Sequence, residues 1–147
     1  MKASSACFDL IREFESCRLQ AYRDCVGKLT VGYGHTKGVH EGMVIDHAQA
    51  DDFLKEDVAD VEKPLGVLLE KIRVTQGQWD ALVSFCFNLG VGAFKVSTLR
   101  GMLKARDIQG AANQFERWVY AGGKKKLDGL IRRRAAEKKL FLSGQVA

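Results

Sequence analysis

Residues 13–36, EFESCRLQAYRDCVGKLTVGYGHT, carry the strongest structural signals in the chain. They read as the end of a helix followed by a β-hairpin whose turn is predicted at residues 24–28. Eight residues separate Glu15 from Asp24, and five separate Asp24 from Thr30. This spacing can bring an acid, a second carboxylate and a hydroxyl around one cleft, and hydrolysis of a glycosidic bond requires such groups.

The second predicted strand, residues 29–33, alternates between two kinds of position. Leu29, Val31 and Tyr33 form an apolar face, while Thr30 is followed by glycines on the other face. Glycine within a strand often marks the close approach of a ligand or of another backbone. The bare face is the one that carries Thr30.

Helical spacing and capping residues predict the rest of the chain. Helices are expected to start at Ser4 or Ser5, at Asp46 with Gln49, at Thr75 with Gln78, at Ser97 or Thr98, at Asp107 and at Asp128. Pro64 is expected to end or kink the second of these helices. The helix after Thr75 is apolar on nearly all sides, so it is predicted to be the buried central helix and to end at Gly90.

These elements predict an α+β fold. A small N-terminal β-hairpin lobe, about residues 13–45, is joined by a long helix to a larger all-α lobe, about residues 65–147. The length of 147 residues suits a single domain, and 46% hydrophobic with 28% charged residues is typical of a globular protein. No signal peptide or membrane-spanning run is visible, so we expect the chain to be made in the cytoplasm and released by another route.

Cysteine and histidine spacing gives no indication of a metal site or a cofactor. The cysteines, Cys7, Cys17, Cys25 and Cys86, form no CxxC pair and are expected to be reduced thiols. Cys7 has the helical spacing of a core residue. The histidines, His35, His40 and His47, match no zinc spacing and are expected to be structural.

The net charge of +5 is concentrated near the C-terminus. Residues 124–139, KKKLDGLIRRRAAEKK, hold eight Lys and Arg against two acids. This run fits a solvated helix face, or a surface that attracts anionic polymers and could disturb membranes. A nucleic-acid-binding module would explain the charge but not the Glu, Asp and Thr spacing, and no helix-turn-helix or zinc pattern supports it. We expect no nucleic-acid partner.

Three ordered motifs resemble the phage-type lysozymes of glycoside hydrolase family 24, which include T-even phage lysozyme and many endolysins. They are the stretch 13–36, TQGQWDALVSFCFNLGVGAF at 75–94 and RWVYAGGKKKLDGLIRRRAAE at 117–137, and they span nearly the whole chain. The resemblance implies a lysozyme-like fold and a muramidase that cleaves the β-1,4 bond between N-acetylmuramic acid and N-acetylglucosamine in peptidoglycan, lysing the host cell.

The same resemblance assigns roles to individual residues. It implies that Glu15 is the general acid, Asp24 the second carboxylate and Thr30 the hydroxyl that helps to hold water. Inversion of the anomeric centre and retention with Asp24 as nucleophile both remain open, because they differ in a carboxylate separation that sequence does not give. Substrate contacts are implied at a further set of positions: Thr36, Phe87, Asn88, Thr98 and Arg133.

The resemblance also bears on neighbours and partners. It places an arginine beside Glu15, for which Arg132, Arg133 and Arg134 are candidates. It offers no acidic counterpart for His35, so no ion pair is expected there. It implies release to the wall through a holin, and we expect a monomer because no apolar stripe is left over after the core is assigned.

Overall fold

The computed structural model describes residues 1–120 and 126–144. Within them the chain forms seven α-helices, one short 3-10 helix and one two-stranded antiparallel sheet. The elements are α1 (Ser5–Phe14), β1 (Arg18–Arg23), β2 (Leu29–Gly32), α2 (His47–Leu68), α3 (Gln76–Leu89), α4 (Val91–Lys95), α5 (Thr98–Lys104), α6 (Ile108–Gln114), the 3-10 helix Phe115–Arg117 and α7 (Asp128–Leu142). The predicted α+β class is confirmed.

The predicted hairpin is present, but its second strand is shorter than expected. β1 pairs with β2 so that Tyr22 lies opposite Thr30. The strand ends at Gly32, which has a φ of +66° that favours glycine, and Val31 and His35 then exchange two backbone hydrogen bonds of 2.9 Å. Tyr33 therefore lies in a tight turn and not in the strand.

The glycine-bearing face that carries Thr30 is closely approached by another backbone, one of the two alternatives that the glycine pattern left open. Thr30 is buried, with 4% of its surface exposed. Gly32, the next residue on that face, approaches the backbone of α2 and not a cleft: a Cβ built there would lie 3.5 Å from Ala50 Cβ. The close approach that glycine allows is real, but it serves packing between the hairpin and α2.

A third segment completes the small lobe. Ala21 of β1 donates to Met43 O at 2.8 Å, and Ile45 donates to Leu19 O at 2.8 Å. Val31, Ile45 and Ala50 form a small buried cluster that is separate from the main core. Tyr33 packs against both clusters, so it joins the hairpin lobe to the helical lobe.

The long helix α2 begins as predicted and continues further than predicted. Asp46 caps it, and the reciprocal hydrogen bonds with Gln49 that define a capping box are both present. Pro64 lies inside the helix and does not end it. Pro64 has no backbone N–H, so it leaves one carbonyl of the preceding turn without its helical hydrogen bond. Pro64 is exposed, so water can reach that carbonyl. Leu65 and Leu69 beyond it are buried in the core and hold the last turn of the helix.

Helix α3 is the central helix of the larger lobe, as predicted. It begins with the capping box of Thr75 and Gln78 and ends at Gly90, whose φ is +91°. Every residue from 78 to 86 is buried. The main core forms around it from buried apolar side chains of α1, α2 and α4 to α7, among them Cys7, Leu54, Phe94 and Phe141.

Two predicted caps differ from the structure. Ser4 precedes α1, but its hydroxyl donates to Asp80 of α3, and its backbone N–H also donates to Asp80 at 2.9 Å. Ser4 therefore occupies the N-cap position of α1, but its side chain forms no capping hydrogen bond. Leu127, not Asp128, is the cap position of α7; Asp128 is the first helical residue, where its charge complements the positive end of the helix dipole.

The expectation that His35 has no acidic partner is wrong. His35 Nδ1 lies 2.9 Å from Asp57 Oδ2, and the imidazole stacks on Phe53 with ring centroids 4.0 Å apart. Burial raises the pKa of Asp57, and the hydrogen bond with His35 opposes that rise. Asp57 lies on α2, 22 residues further along the chain, so the pair fixes the turn after β2 to the long helix.

Candidate active site

Glu15 lies where α1 ends and the chain enters the hairpin. It is the residue after the last turn of α1, and its backbone N–H donates to Ile11 O at 2.8 Å. Its side chain is 25% exposed, so the carboxylate is partly desolvated. The carboxylate is thus anchored by the helix and open to solvent on one side.

Arg133 of α7 is the arginine that contacts Glu15. Its Nη1 donates to Glu15 Oε1 at 2.8 Å, while its other nitrogens bond to Glu137 Oε2 at 3.2 Å and to Ser84 O at 3.1 Å. The guanidinium is almost fully buried, and a rigid planar fork of donors suits several fixed acceptors. Glu15 is therefore held through one carboxylate oxygen.

The second oxygen of Glu15 is on the side of the hairpin. A Cβ built at Gly34, whose φ is +87°, would lie 4.0 Å from Glu15 Oε2. Within residues 1–120 and 126–144, no hydrogen bond to Oε2 is formed.

Asn88, near the end of α3, is oriented by the neighbouring arginine. Its Oδ1 accepts a hydrogen bond from Nη2 of Arg134, which is wholly buried and also donates to Trp118 O at 2.9 Å. A guanidinium has only donors, so the amide must present its oxygen to Arg134 and keep its N–H groups for another partner. Burial lowers the pKa of Arg134, and the charge of Glu137 opposes that effect.

One cleft of about 380 Å³ brings these groups together. Its wall contains Glu15, Asn88 and Arg133, with Arg132 also present. Of the site residues predicted from the sequence, Glu15, Asn88 and Arg133 line this cleft. A cavity of this size with a few convergent polar groups is typical of a ligand site.

Asp24 and Thr30 form a second group, joined through the backbone of Lys28. Asp24 Oδ1 accepts from Val26 N at 3.0 Å and from Lys28 N at 2.8 Å, as a turn-forming aspartate does. The Thr30 hydroxyl donates to Lys28 O at 3.0 Å. Among the described residues, Asp24 Oδ2 accepts no hydrogen bond, and the hydroxyl of the buried Thr30 uses its proton on Lys28 O.

The other predicted contact residues lie outside this hydrogen-bonded centre. Thr36 is half-buried just after the turn that follows β2. Phe87 is half-buried and packs against the main core, and Thr98 is exposed at the start of α5. Their roles stay predictions.

Sequence reasoning missed Ser84 and Glu137, which are both wholly buried. Ser84 donates to Glu137 Oε2 at 2.6 Å, and Glu137 also contacts Arg133 and Arg134. A signal was present, because an acid three and four residues after two arginines lies on their side of a helix. This signal was missed because residues 124–139 were interpreted as a surface feature throughout.

The basic surface is smaller than the sequence indicated. Arg133 and Arg134 are buried, and Lys138 pairs with Glu116. Lys126, Arg132 and Lys139 remain exposed on the described part of the run, while Lys124 and Lys125 lie outside the described residues. In residues 1–120 and 126–144, no three His, Cys, Asp or Glu side chains are grouped as a metal site.

The model of the family described as phage lysozyme matches residues 12–137, which include the cleft, the hairpin and most of α7. This chain is a member of the phage lysozyme family.

Individual relatives of this phage lysozyme cover most or all of the chain. An endolysin of Acyrthosiphon pisum secondary endosymbiont phage 1 is 44% identical over 91% of this chain and 93% of its own length. An endolysin of Bacillus phage B103 is 43% identical over 99% of this chain, which spans 56% of that longer protein. The solved muramidase domain of SpmX from Asticaccaulis excentricus is 38% identical, with a TM-score of 0.90 over 97% of this chain and 98% of that one.

The solved neighbour also agrees with the lobed architecture. The lysozyme-like fold predicted from the sequence is confirmed by that match. Over the described part of this family member, no helix is both long and apolar enough to cross a bilayer.

Proposed function

We propose that this protein is an endolysin of glycoside hydrolase family 24 that cleaves the β-1,4 bond between N-acetylmuramic acid and N-acetylglucosamine in bacterial peptidoglycan. The observation that carries the proposal is the Glu15 carboxylate in the cleft, bound to Arg133 through Oε1 and free at Oε2. Membership of the phage lysozyme family and the muramidase domain among the solved neighbours support it.

Glu15 is the proposed general acid. A protonated carboxyl can accept from Arg133 through Oε1 and at the same time donate from Oε2 to the leaving glycosidic oxygen. The arginine thereby fixes which oxygen carries the proton. Protonation of the leaving oxygen is the step that an acid must supply in either stereochemical course.

Asp24 and Thr30 are the proposed partners of the attacking water. The free oxygen of Asp24 and the lone pairs of the Thr30 hydroxyl can both accept from one water molecule, because their other positions are occupied by the backbone of Lys28. In an inverting reaction that water attacks the sugar, and the carboxyl groups lie about 6.5–9.5 Å apart. In a retaining reaction, Asp24 would attack the sugar itself.

The saccharide chain would pass between the lobes. Asn88 would donate to an acceptor of the sugar, since its carbonyl is engaged by Arg134. The remaining proposed contacts, from the family resemblance, are Thr36, Phe87, Thr98 and Arg133. No cofactor or metal enters this reaction, because proton transfer and water attack complete it.

The biological setting follows from the proposed reaction. We expect a monomer acting as a single domain on the wall of the host after release from the cytoplasm through a holin. The exposed cations Lys126, Arg132 and Lys139 would attract anionic wall or outer-membrane polymers, and this attraction would weaken as salt rises through physiological values.

The test is the release of reducing ends from purified peptidoglycan by the unaltered protein, by Glu15→Gln and by Glu56→Gln. Glu56 is exposed on α2, so its variant controls for loss of one carboxylate. We expect new muramic-acid ends, identified after borohydride reduction, from the unaltered and control proteins but not from folded Glu15→Gln. Release of N-acetylglucosamine ends would contradict the bond assignment, and activity in Glu15→Gln would contradict the acid.

A further inference from the structure

Glu137 lies at the centre of the polar network behind the cleft. Its Oε2 accepts from Ser84 Oγ at 2.6 Å and from Arg133 Nε at 3.2 Å, and its Oε1 accepts from Arg134 Nη1. The side chain is wholly buried. One carboxylate therefore binds both arginines of α7 at the same time.

Each arginine binds a different residue of the cleft wall. Arg133 holds Glu15 through Nη1, and Arg134 holds the carbonyl of Asn88 through Nη2. Glu137 binds a different nitrogen of each guanidinium, Nε of Arg133 and Nη1 of Arg134. The orientation of the proposed acid and that of the Asn88 amide thus depend on the same buried group.

The charges of this network are balanced. Two buried guanidiniums face two carboxylates, Glu15 and Glu137, and only Glu15 reaches the cleft. Burying such groups brings little net stability compared with apolar packing, so stability alone gives no reason for this arrangement. Without the charge of Glu137, both cations would act on the acid that must carry a proton.

We propose that Glu137 is a positioning residue for the glycosidase reaction, which aligns Arg133 on Glu15 and Arg134 on Asn88 and balances their charge. This proposal rests on the proposed function of Glu15. Glu137 does not touch the cleft; it acts through the two arginines. The charged groups around Glu15 are Arg133 in contact with it and Glu13 and Arg132 in the cleft wall.

The experiment compares Glu137→Gln with Glu116→Gln. Both remove a carboxylate that pairs with a cation of α7, but Glu116 pairs with Lys138 at the surface and does not line the cleft. For the folded fraction of Glu137→Gln we expect kcat to fall about tenfold or more while KM changes less, because small misplacement of a reacting group is costly. Glu116→Gln should match the unaltered protein.

A pH–rate profile separates positioning from simple support of the fold. Removing the Glu137 charge leaves Glu15 beside less compensated cations, so the alkaline limb of kcat should move to lower pH in Glu137→Gln. Glu137→Asp, which keeps the charge, should restore the limb toward its original position. A lowered melting temperature with kcat and the limb both unchanged would overturn the proposal.

A milder variant keeps the proposal testable if Glu137→Gln does not fold. Ser84→Ala removes the hydroxyl that donates to Glu137 and lies 3.3 Å from Arg133 Nη2. We expect kcat of folded Ser84→Ala to fall about threefold or more, in line with a small displacement of Arg133; an unchanged kcat would overturn the proposal. Failure of the proposed function is distinguishable, since the unaltered protein would then release no ends.

Discussion

Arg133 and Glu15, 118 residues apart in the chain, are joined by a 2.8 Å hydrogen bond between Nη1 and Oε1. The bond connects the last helix to the end of the first one and closes the wall of the cleft. It also makes the two oxygens of the Glu15 carboxylate different, because Oε1 is bound by Arg133 and Oε2 accepts no hydrogen bond from the described residues. One contact therefore both joins α7 to the end of α1 and positions the proposed acid.

Arg133→Lys should damage both stability and activity. A lysine ammonium cannot span Glu15, Glu137 and the Ser84 carbonyl as the planar guanidinium does. We expect the free energy of unfolding, measured in urea, to fall by about 1–3 kcal/mol, because buried acceptors among Glu137 and the Ser84 carbonyl lose a hydrogen-bond donor. We also expect kcat/KM to fall about tenfold or more.

The matched variant for that stability measurement is Arg132→Lys. Arg132 is the exposed neighbour on the same helix, so its unfolding free energy should stay within about 0.5 kcal/mol of the unaltered value. Equal destabilisation by the two substitutions would contradict the special role of Arg133 in the network.

Asn88→Asp and Asn88→Ala should have different effects. Asp keeps an oxygen for Arg134 and loses the N–H groups that face the cleft, so we expect KM to rise about tenfold for the loss of one hydrogen bond, with stability retained. Ala also leaves Arg134 Nη2 without its acceptor and should lower the free energy of unfolding by about 1–3 kcal/mol. An unchanged KM in Asn88→Asp would show that the amide does not donate to substrate.

Local signals in the sequence were sufficient for much of the fold. The capping boxes at Asp46 and Thr75 were predicted from spacing and are present, because each needs only residues three apart. The end of α3 at Gly90 was equally local. Asp128 was predicted to be the cap of α7 but is its first helical residue, because aspartate is favourable at both positions.

Long-range partners could not be predicted. Arg132, Arg133 and Arg134 look alike in the sequence, yet helical geometry points them about 100° apart and only the second reaches Glu15. The hydrogen bond between His35 and Asp57 joins residues whose spacing carries no signal. The second strand was extended to Tyr33 because alternation was continued past Gly32, where the positive φ ends the strand.

The two buried thiols should make stability fall in alkaline solution. Burial raises the pKa of Cys86 to about 12, and burial followed by the charge of Asp80 raises the pKa of Cys7 further. Their stabilising contribution is present below the unfolded pKa of 9.0 and is lost as pH rises above it, because the unfolded thiols then ionise. Each thiol should remove roughly 1.4 kcal/mol per pH unit there.

The measurement is urea unfolding of the unaltered protein and of Cys7→Ala/Cys86→Ala at pH 8 and pH 10. The double variant should be less stable at pH 8 because it loses core packing, and the difference should shrink by roughly 2.5 kcal/mol at pH 10. Cys25→Ala, at an exposed thiol, is the control and should keep the pH dependence of the unaltered protein. Parallel pH dependence in all three proteins would contradict the prediction.

Thr30 offers a test of whether a buried hydroxyl can serve catalysis. Thr30→Val keeps the shape and removes the hydroxyl that donates to Lys28 O at 3.0 Å, so the free energy of unfolding should fall by only about 1 kcal/mol. Turnover should fall about tenfold or more, since the proposed water loses one of its two acceptors. Thr30→Ser keeps the hydroxyl and should retain most of kcat. A large fall in melting temperature with normal kcat in Thr30→Val would assign the hydroxyl to the turn alone, leaving Asp24 to hold the water.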